Sequence, residues 1–550
     1  MTRPPVDLDL LTHRDADWSG LRALVTGLGV SGFAAADALR QHGASVVVVD
    51  PGNDSERQRT QAGILDILGA EVRLGPEHVT GWPAAAPAGA GGPGDVADGD
   101  GDDLDVDPDD PDVDPDGDPD GNLDDAPDDL DVDVVVTSPG WPPHHPVLAE
   151  AARRGVPIWS EVELAWRLRP AEGAAPWIAV TGTNGKTTTV QLVETMLRAA
   201  GLRAVAVGNV GTPILDAVQH PEPYDAIAVE LSSFQLHFTH SMSPVASVVL
   251  NVAADHLDWH GSFEGYAADK ARIYERTRLA CVYNAQDPRT ETMVEEADVV
   301  EGCRAIGFTL GTPGRSMVGL VEDVLADRAF VADRATTAAE LGTLADLSRA
   351  SGGEATPPPH LVANALAAAA LVRAVGIQPA EVREGLRAFR TDAHRTAIVA
   401  TRDDVTWVDD SKATNPHAAL AALQAYPDIV WVAGGQLKGA DVDELVATVA
   451  DRLRGVVLIG TDRQQIADAL GRHAPEVPVH DLGVADHGDM PALTSLMDEV
   501  VARSARLARP GHVVLLSPAA ASLDMFPSYG SRGDAFADAV RRHLDAGEER

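Results

Sequence analysis

The chain has 550 residues, 45% of them hydrophobic, which is enough for about three domains with buried cores. Its formal net charge is -41, and twenty aspartates between residues 95 and 133, a stretch without lysine or arginine, contribute much of it. This acidic balance disfavours nucleic acid and anionic membranes as partners. We find no apolar run near the roughly 20 residues of a membrane span and no signal-peptide core. Cys281 and Cys303, the only cysteines, lack disulfide or metal-ligand spacing, so we expect a reduced, cytoplasmic protein.

The first predicted unit, residues 1–170, opens with an apolar strand and a glycine-rich turn. The turn is Gly27-Leu28-Gly29-Val30-Ser31-Gly32, and a second strand, Ser45–Val49, ends at Asp50. Strand, turn, helix and strand in this order predict half of a Rossmann-like unit. The same pattern fits NAD, with Asp50 on the ribose, and a different nucleotide held by the same backbone geometry. The motif alone leaves both alternatives open.

A low-complexity segment, Pro83–Leu130, interrupts this unit. Alanine, glycine and proline come first, and Asp-Pro and Asp-Gly repeats follow. The segment lacks the apolar side chains that would offset the entropy cost of ordering, so we predict that it is disordered. An apolar run resumes at Val134–Val136 and leads into Ser138-Pro139-Gly140. The segment is therefore an insert within a domain and not a linker between two.

The second predicted unit, residues 171–391, begins with the most informative segment of the chain. An apolar run, Trp177–Val180, leads through Gly182-Thr183-Asn184-Gly185-Lys186-Thr187-Thr188 into a helical pattern. Successive backbone N–H groups and a helix N-terminus can cradle phosphate oxygens there. Lys186 supplies a cation for the β- and γ-phosphates, and Thr187 supplies a hydroxyl for Mg²⁺. Two residues separate the glycines, where the usual phosphate loop has four.

Polar residues follow two further apolar strands of this unit. Strands are predicted at Ala204–Val207, Ala226–Val229 and Ala246–Leu250, as expected of a parallel α/β sheet. Glu230 ends the second of these strands, and a cluster of Asp255, His256 and Asp258 follows the third. Each residue alone would be read as a helix cap or a surface turn. Two clusters beyond strand ends in one phosphate-loop domain favour metal and substrate binding.

The third predicted unit, residues 392–550, repeats the α/β pattern. Its apolar strands are Thr406–Val408, Ile429–Val432, Val456–Ile459 and Val513–Leu516. A second Rossmann-like sheet is therefore expected.

Six motifs in order along the chain resemble the Mur ligase family. They are T-G-T-N-G-K-T-T from Thr181, G-N-V-G from Gly208, E-L-S-S-F-Q-L from Glu230, N-V-A-A-D-H-L-D from Asn251, D-S-K-A-T-N from Asp410 and S-P-A-A-A-S-L-D from Ser517. The third and sixth motifs are most similar to the branch of the family that adds D-glutamate. The resemblance covers nearly the whole chain except the acidic insert. It implies a three-domain α/β fold: a Rossmann-like N-terminal domain, a central phosphate-loop ATPase domain and a Rossmann-like C-terminal domain.

The resemblance also implies a reaction in peptidoglycan precursor synthesis. ATP would phosphorylate the carboxylate of UDP-N-acetylmuramoyl-L-alanine, and the amine of D-glutamate would attack the acyl phosphate. Such a transfer needs positioning and charge neutralisation more than it needs protein nucleophiles. The implied cofactors are ATP and two Mg²⁺ ions, and the implied form is a monomer.

The family's site residues carry over onto matching positions of this chain. The catalytic residues would be Lys186, His256 and a carbamylated Lys270, and the metal ligands would be Thr187, Glu230, His256 and Lys270. ATP would contact Gly182, Thr183, Asn184, Gly185, Lys186, Thr187, Thr188, Asn364, His394, Arg395 and Asp410. The uridine diphosphate part of the substrate would lie against Gly27, Gly29, Ser31, Gly32, Asp50, Ser138 and Gly140. The remaining substrate contacts would be Asn209, Ser232, Gln235, Lys412, Thr414, Lys438, Ser522, Leu523 and Tyr529, with D-glutamate against those of the third unit.

The chain departs from the family pattern at one position. Where the family commonly has His-Asn, this chain has His360-Leu361 before Asn364. Leu361 cannot form the amide hydrogen bonds, which removes one adenine or ribose contact. Because the two halves of the implied site lie on the second and third units, we also predict a hinge near Thr391 and closure on ligand binding.

Three other functions are weighed against this one. The first is another amide ligase of the superfamily, such as the tripeptide-adding member or a folylpolyglutamate synthase. The second is an NAD-dependent dehydrogenase, which rests only on the first glycine-rich turn and Asp50. The third is a non-catalytic scaffold that binds partners through the acidic insert, and the intact phosphate loop argues against it.

Overall fold

Three separate sheets follow one another along the chain. A computed structural model describes residues 6–52, 55–84, 129–209, 212–348, 357–390 and 394–548. The chain divides into two compact units, residues 1–8 with 17–158 and residues 9–16 with 159–550, so the second and third sheets share a unit. The domain borders at residues 170 and 391 stay a prediction, and the expected hinge residue Thr391 lies outside the described residues.

The first sheet has the order β3-β2-β1-β4-β5. Its elements are β1 (Arg22–Thr26), α1 (Val30–Gln41), β2 (Ser45–Asp50), α2 (Glu56–Ile67), β3 (Glu71–Leu74), β4 (Val134–Thr137), α3 (Pro146–Arg154) and β5 (Ile158–Ser160). Valine-rich runs form the central strands because β-branched side chains pack well on a pleated surface. β1 pairs in parallel with both β2 and β4, so the strand order reverses between β1 and β4. That switch point is where ligands bind in such sheets.

The ends of the predicted disordered insert lie together. Ala84 and Asp129 form an antiparallel bridge. The Leu130 N–H donates to the Pro83 carbonyl at 3.0 Å, and the Trp82 indole N–H donates to the Leu130 carbonyl at 2.9 Å. The two terminal residues at each end of the predicted segment are therefore paired. The rest of it, residues 85–128, lies outside the described residues.

The second sheet has nine strands in the order β14-β13-β12-β11-β10-β9-β6-β8-β7. Its strands are β6 (Trp177–Thr181), β7 (Ala204–Gly208), β8 (Ala226–Glu230), β9 (Ala246–Val249), β10 (Ala280–Asn284), β11 (Arg304–Phe308), β12 (Met317–Val321), β13 (Val324–Asp327) and β14 (Ala339–Thr343). Pairing is parallel from β7 through β12, as expected, and β13 and β14 add an antiparallel edge.

Ten helices accompany this sheet among the described residues. They are α4 (Glu161–Arg167), α5 (Lys186–Ala199), α6 (Ile214–Val218), α7 (Ser233–His237), α8 (Leu257–His260), α9 (Phe263–Ala271), α10 (Pro288–Glu295), α11 (Leu344–Leu347), α12 (Pro359–Ala374) and α13 (Pro379–Ala388). The alanine-rich α12 is buried along most of its length and shares one hydrophobic core with α5 and the strands. Leu361 is part of that core and is only 3% exposed. Its apolar side chain therefore contributes to packing, in keeping with the departure from the family pattern.

The third sheet has the order β15-β16-β20-β17-β18-β19. Its elements are β15 (Ala397–Arg402), β16 (Val405–Asp409), α14 (Pro416–Gln424), β17 (Ile429–Ala433), α15 (Asp443–Val449), β18 (Leu453–Leu458), α16 (Arg463–His473), β19 (Val479–Asp481), α17 (Met490–Leu507), β20 (Val513–Leu516) and α18 (Tyr529–Glu548). All pairs are parallel except β15 with β16. The expected α/β class with two Rossmann-like sheets and a central phosphate-loop sheet is confirmed. Within the ranges given above, the helices are too short or too polar to cross a bilayer.

Candidate active site

The phosphate loop lies between the end of β6 and the start of α5. Gly182 and Gly185 have φ angles of 154° and 85°, values that favour glycine. A Cβ on Gly185 would stand 2.4 Å from the Asn364 Oδ1 atom, so the predicted nucleotide residue Asn364 packs directly on the loop. Thr187 and Thr188 lie in the first turn of α5, where the helix N-terminus favours anions.

Two lysines meet at one carbonyl oxygen of this loop. The Lys186 ammonium donates to the Gly182 carbonyl at 2.9 Å and to the Thr183 carbonyl at 3.0 Å. The Lys270 ammonium, from α9, donates to the same Gly182 oxygen at 3.0 Å. Lys270 is only 1% exposed, and burial together with the charge of Lys186 holds its pKa well below the usual value. The structure thus brings together two of the three predicted catalytic residues.

Glu230, at the end of β8, has one carboxylate oxygen without a hydrogen-bond partner in the part of the chain that the structure describes. Its Oε1 atom accepts from the Asn209 side chain at 3.3 Å, whereas the buried Oε2 atom has no hydrogen-bond partner among the described residues. Glu230 is 1% exposed; burial lowers the pKa of both Lys186 and Lys270, and the negative charge of Glu230 opposes this shift. A buried carboxylate oxygen without a partner is costly unless a cation lies beside it. This atom therefore fits a magnesium ligand.

His256 precedes α8 in a left-handed conformation with φ of 52°. Burial lowers the pKa of His256 to about 4; Asp255 opposes this shift, and Lys438, Lys186 and Lys270 reinforce it. The imidazole is therefore neutral near pH 7, the form that binds metal ions. Among the residues that the structure describes, no group of three His, Cys, Asp or Glu side chains could hold a metal ion by itself. Magnesium would accordingly need Thr187, nucleotide phosphates or a modified Lys270 as further ligands.

The predicted nucleotide-binding residues of the third sheet lie just before β15 and just after β16. His394 Nδ1 lies 2.6 Å from Asp409, and the Asp410 carboxylate accepts from the Ser517 hydroxyl at 2.8 Å and the Thr396 N–H at 3.1 Å. Burial raises the pKa of Asp410 to about 7, although these hydrogen bonds and Arg395 oppose the shift. Arg395 also lies close enough to Lys186 to lower the pKa of that lysine.

The predicted D-glutamate residues lie beyond the carboxyl ends of the strands of the third sheet, most of them on loops and Tyr529 at the start of α18. The Lys412 ammonium lies 5.1 Å from the centre of the Tyr529 ring. Lys438 has a φ of 52°. Its positive charge adds to the effect of burial in lowering the pKa of His256, so Lys438 lies on the side of the phosphate loop. Thr414 is partly buried, Ser522 is 3% exposed and Leu523 is 56% exposed.

The chain contains only four lysines, Lys186, Lys270, Lys412 and Lys438, and all four belong to this candidate site. Other basic positions are arginines, which are not interchangeable with lysine because the guanidinium is planar and hardly titrates. The small number of lysines is a sequence signal that the six motifs do not contain. It singles out Lys270 and Lys438 without any family comparison.

Arg532 is a site residue that the sequence analysis missed. Its fully buried guanidinium donates to the Ser411 hydroxyl at 3.0 Å, the Ser411 carbonyl at 2.8 Å, the Ala520 carbonyl at 3.1 Å and the Gly434 carbonyl at 3.4 Å. Burial lowers its pKa to about 10, although Asp524 and Asp409 oppose the shift. The side chain joins the loops after β16, β17 and β20, which carry the predicted D-glutamate residues.

The second and third sheets are linked at the phosphate loop. The side-chain amides of Asn184 and Asn415 exchange hydrogen bonds of 3.1 and 3.4 Å, and the Asn184 amide also donates to His417 at 3.1 Å. Asn415 caps α14 through the Ala418 N–H. A predicted ATP-binding residue therefore contacts the D-S-K-A-T-N motif directly.

The glycines of the first unit have two different roles. A Cβ on Gly27 would collide with Ser138 and Trp141, and one on Gly32 would stand 1.8 Å from the Gly27 carbonyl, so close packing requires both glycines. Gly29 and Gly140 have open space instead and are exposed, as a ligand-facing backbone would be. Ser31, beside Gly29, is partly exposed.

The Asp50 carboxylate accepts hydrogen bonds from nearby residues of the same unit. Its carboxylate accepts from the Leu28 N–H at 2.6 Å, the Gly52 N–H at 2.8 Å and the Gln58 amide at 2.6 Å. It therefore fixes the glycine-rich turn on β2. Its predicted contact with uridine would use the remaining acceptor capacity of the carboxylate.

Ser232 and Gln235 are also used by the fold. They form a reciprocal capping box at the start of α7, and the Gln235 amide donates to Glu161 at 3.0 Å. Gln235 is only 1% exposed, so it is placed to support the loop after Glu230. Whether these side chains also touch substrate stays a prediction.

Two family models match the chain, "Mur ligase middle domain" over residues 180–372 and "Mur ligase, glutamate ligase domain" over residues 394–520. The chain is 54% identical to the UDP-N-acetylmuramoylalanine–D-glutamate ligase of Streptomyces avermitilis, covering 96% of this chain and 99% of that protein. It is 50% identical to the protein of the same name in Thermobifida fusca, with 95% and 98% coverage. For the protein of that name in Leifsonia xyli subsp. xyli, the identity is 46% and the coverage 100% and 98%.

Solved structures share the fold at low identity. The UDP-N-acetylmuramate–alanine ligase of Thermotoga maritima aligns with a TM-score of 0.50 and 19% identity, covering 96% of this chain and 99% of that one. A pseudomurein peptide ligase type C from Methanothermus fervidus aligns with a TM-score of 0.50 and 16% identity, covering 95% and 100%. With full-length relatives at about half identity and six motifs in their expected places, the chain belongs to the Mur ligase family.

Proposed function

We propose that this protein is an ATP-dependent ligase that joins D-glutamate to UDP-N-acetylmuramoyl-L-alanine in peptidoglycan precursor synthesis. The observation that carries the proposal is the meeting of Lys186, Lys270 and Glu230 at the phosphate loop, in a chain 54% identical to a ligase of that name. The dehydrogenase alternative rested on the first glycine-rich turn, and that turn serves a UDP-sugar equally well. The scaffold alternative gives no reason for buried cations at a phosphate loop.

The reaction follows from the position of these charges. The γ-phosphoryl group of ATP passes to the substrate carboxylate, and the amine of D-glutamate then attacks the acyl carbon as phosphate leaves. Lys186, already beside the loop carbonyls, neutralises charge on the moving phosphoryl group. Lys438 and Arg395 add positive charge from the third sheet, because both act electrostatically on residues around the loop.

Magnesium fits the oxygen and nitrogen atoms present here. The Glu230 Oε2 atom and the Thr187 hydroxyl would hold one ion, and the neutral His256 imidazole would hold a second together with a carbamylated Lys270. When bound, the ion polarises phosphoryl oxygens and offsets their charge. Glu230 also holds the side chain of Asn209, the second residue of the G-N-V-G motif.

Carbamylation of Lys270 is supported by its surroundings. A carbamate forms when the neutral amine attacks carbon dioxide and loses a proton, and burial together with Lys186 favours that neutral amine. The modification turns the Lys270 side chain into an anion, which attracts the Lys186 ammonium beside it at the Gly182 carbonyl. It also provides two further oxygens for a second magnesium ion.

D-glutamate would bind against the third sheet. Lys438 and Thr414 would hold its carboxylates, with Lys412, Ser522, Leu523 and Tyr529 around them. Arg532 supports this arrangement because it fixes the loops on which Ser411 and Ala520 lie. These assignments place the amine donor opposite the phosphate loop, where the Asn184–Asn415 contact brings the two sheets together.

A coupled assay tests the proposal. Phosphate release is measured with UDP-N-acetylmuramoyl-L-alanine and each of D-glutamate, L-glutamate, L-lysine and meso-diaminopimelate, and the amide product is identified by mass spectrometry. We expect release only with D-glutamate and only when both substrates are present. Equal efficiency with another amino acid would contradict the assignment and favour a different amide ligase of the superfamily.

A further inference from the structure

A buried polar cluster lies behind the predicted metal site, and none of the motifs includes it as a unit. Asp269, the residue before Lys270, accepts hydrogen bonds from two histidines. His237 Nδ1 lies 2.8 Å from its Oδ1 atom, and His260 Nδ1 lies 2.8 Å from its Oδ2 atom. Ser233 Oγ lies 2.9 Å from His260 Nε2.

These distances fix the proton positions. With Nδ1–H of His260 donating to the carboxylate, Nε2 is left as the acceptor for the Ser233 hydroxyl. A carboxylate that accepts a hydrogen bond from an imidazole N–H at each of its two oxygens is in the ionised form. Asp269 is therefore an anion held by two N–H donors.

The cluster has the order of a Ser-His-Asp triad, but its burial excludes a nucleophile. Ser233 is 3% exposed and the His260 side chain is 1% exposed, so no substrate reaches the hydroxyl. Phe234 stacks on His260 with 5.5 Å between ring centroids, and Trp259 covers both rings. The cluster is therefore a fixed structural link.

The link joins three elements, and one predicted metal-site residue lies on or shortly before each of them. His237 ends α7, which begins shortly after Glu230. His260 ends α8, which begins immediately after His256. Asp269 and Lys270 are neighbours on α9, so their side chains leave the helix in different directions, Asp269 toward the histidines and Lys270 toward the Gly182 carbonyl.

We propose that Asp269 is a positioning residue that clamps α7, α8 and α9 together and thereby sets the mutual positions of Glu230, His256 and Lys270. This inference rests on the proposed function for the meaning of the metal site, but the clamp itself is defined by the hydrogen bonds. Outer partners of metal-binding groups change metal affinity about 10–100-fold when they are removed. The clamp reaches Glu230, His256 and Lys270 through the elements that adjoin them.

The test compares Asp269→Asn with Glu264→Gln. Glu264 is exposed on the same helix, so its variant removes the same charge without touching the cluster. In Asp269→Asn, the amide nitrogen faces one imidazole N–H, donor against donor, so one arm of the clamp is lost. His260→Gln, which removes the second arm, should resemble Asp269→Asn.

Three readouts separate positioning from general damage. The magnesium concentration for half-maximal activity should rise about tenfold in Asp269→Asn and stay unchanged in Glu264→Gln. The KM for D-glutamate should stay within about twofold, since its site lies on the third sheet. The third readout is the ¹³C NMR signal of the carbamate carbon, recorded on the apoprotein in ¹³C-bicarbonate. The signal is assigned by its loss in Lys270→Arg, and it should weaken in Asp269→Asn. Circular dichroism and a cooperative melting curve establish that each variant is folded.

The outcomes distinguish the two proposals. A folded Asp269→Asn protein with wild-type magnesium dependence and a wild-type carbamate signal would overturn the clamp. A wild-type protein that fails to use D-glutamate would overturn the proposed function, whereas the carbamate signals of wild type and Asp269→Asn would still test the clamp. A uniform loss of kcat in Asp269→Asn, with magnesium dependence and carbamate signal unchanged, would count against it too.

Discussion

The polar residues of the site differ in how much of their hydrogen-bonding capacity the fold uses. Asp50 and Gln235 have their polar atoms engaged by neighbouring residues, whereas one oxygen of Glu230 has no partner among the described residues. Residues whose polar atoms are all hydrogen-bonded within the protein shape the site. Residues with a free hydrogen-bond acceptor are the ones that contact ligands. The distinction orders the candidates for mutagenesis.

Lys270→Ala should lose activity by about 100-fold and regain part of it with added acetate or formate. The substitution opens space beside the Gly182 carbonyl, and a small carboxylate can supply the oxygens that a carbamate would provide. Steady-state rates with increasing formate measure the effect, with chloride as the control anion. Lys270→Arg is a permanent cation, cannot be carbamylated and fills the space, so it should be inactive and insensitive to formate. Equal rescue of both variants would count against carbamylation.

Asp410→Asn should change how stability depends on pH. The folded protein holds the Asp410 proton up to a pKa of about 7, whereas the unfolded chain releases it near the ordinary value of 3.8. The folded state therefore binds more protons in this window, and this group's contribution to stability is lost as pH rises through about 7. The melting temperature of Asp410→Asn should exceed that of wild type by a margin that grows as pH rises from about 4 to about 7, and that is roughly 2–4 °C larger at pH 8 than at pH 4. The exposed Asp545→Asn variant is the control, and a constant difference across pH would refute the assignment.

Motifs predicted the residues at strand ends but not the contacts that hold them. Lys186, Glu230 and His256 sit within short, recognisable segments, so their positions follow from strand, turn and helix order. Asp269 and Arg532 do not, because the partners of Asp269 are 9 and 32 residues away and Ser411 is 121 residues from Arg532. Such contacts depend on the packing of helices that the sequence pattern leaves undetermined.

At the level of elements, strand positions were predictable where apolar runs were continuous and buried. The run Val513–Leu516 is β20 without any change of boundary, and the runs Trp177–Val180 and Ala226–Val229 each lack only the last residue of β6 and β8. The antiparallel edge formed by β13 and β14 was missed because β13 has only four residues, β14 mixes exposed and buried residues, and neither strand carries a motif. The nine-stranded sheet is therefore wider than the sequence analysis indicated.

Replacing residues 85–128 by a short Gly/Ser linker should leave kcat/KM within about twofold of wild type. Ala84 and Asp129 are already paired, so the linker has only to connect adjacent backbone positions. Closure entropy varies slowly with loop length, about 0.6 kcal/mol per doubling, so the shorter loop costs little. Kinetics and a melting curve of the shortened protein measure this. A large loss of activity, with Trp82 and Leu130 retained, would show that the segment has a catalytic or folding role.

At the scale of the whole molecule, catalysis depends on bringing two sheets together. The reacting carbonyl and amine must approach to about 3–3.5 Å, and the residues proposed to bind them belong to the second and third sheets. The Asn184–Asn415 amide pair is one point where these sheets touch. An opening motion would break this pair and expose the phosphate loop to water.

Nucleotide and substrate should shift the protein toward the closed arrangement. Closure excludes water from the acyl phosphate, which would otherwise hydrolyse. Pulsed distance measurements between spin labels at Glu264 and Asp441, both exposed, report on the separation of the two sheets. We expect a broad distribution without ligands and a narrow, shorter one with a non-hydrolysable ATP analogue and UDP-N-acetylmuramoyl-L-alanine. Superimposable distributions in the two samples would refute the motion.

The restriction of lysine to the candidate site makes the protein well suited to selective isotope labelling. If only lysine carries the label, a chain of 57.7 kDa yields four lysine resonances, and each comes from a residue assigned here to nucleotide, metal or amino-acid binding. Four single substitutions assign the spectrum. Each ligand can then be followed separately as it binds, without the signal overlap that a chain of this length otherwise produces.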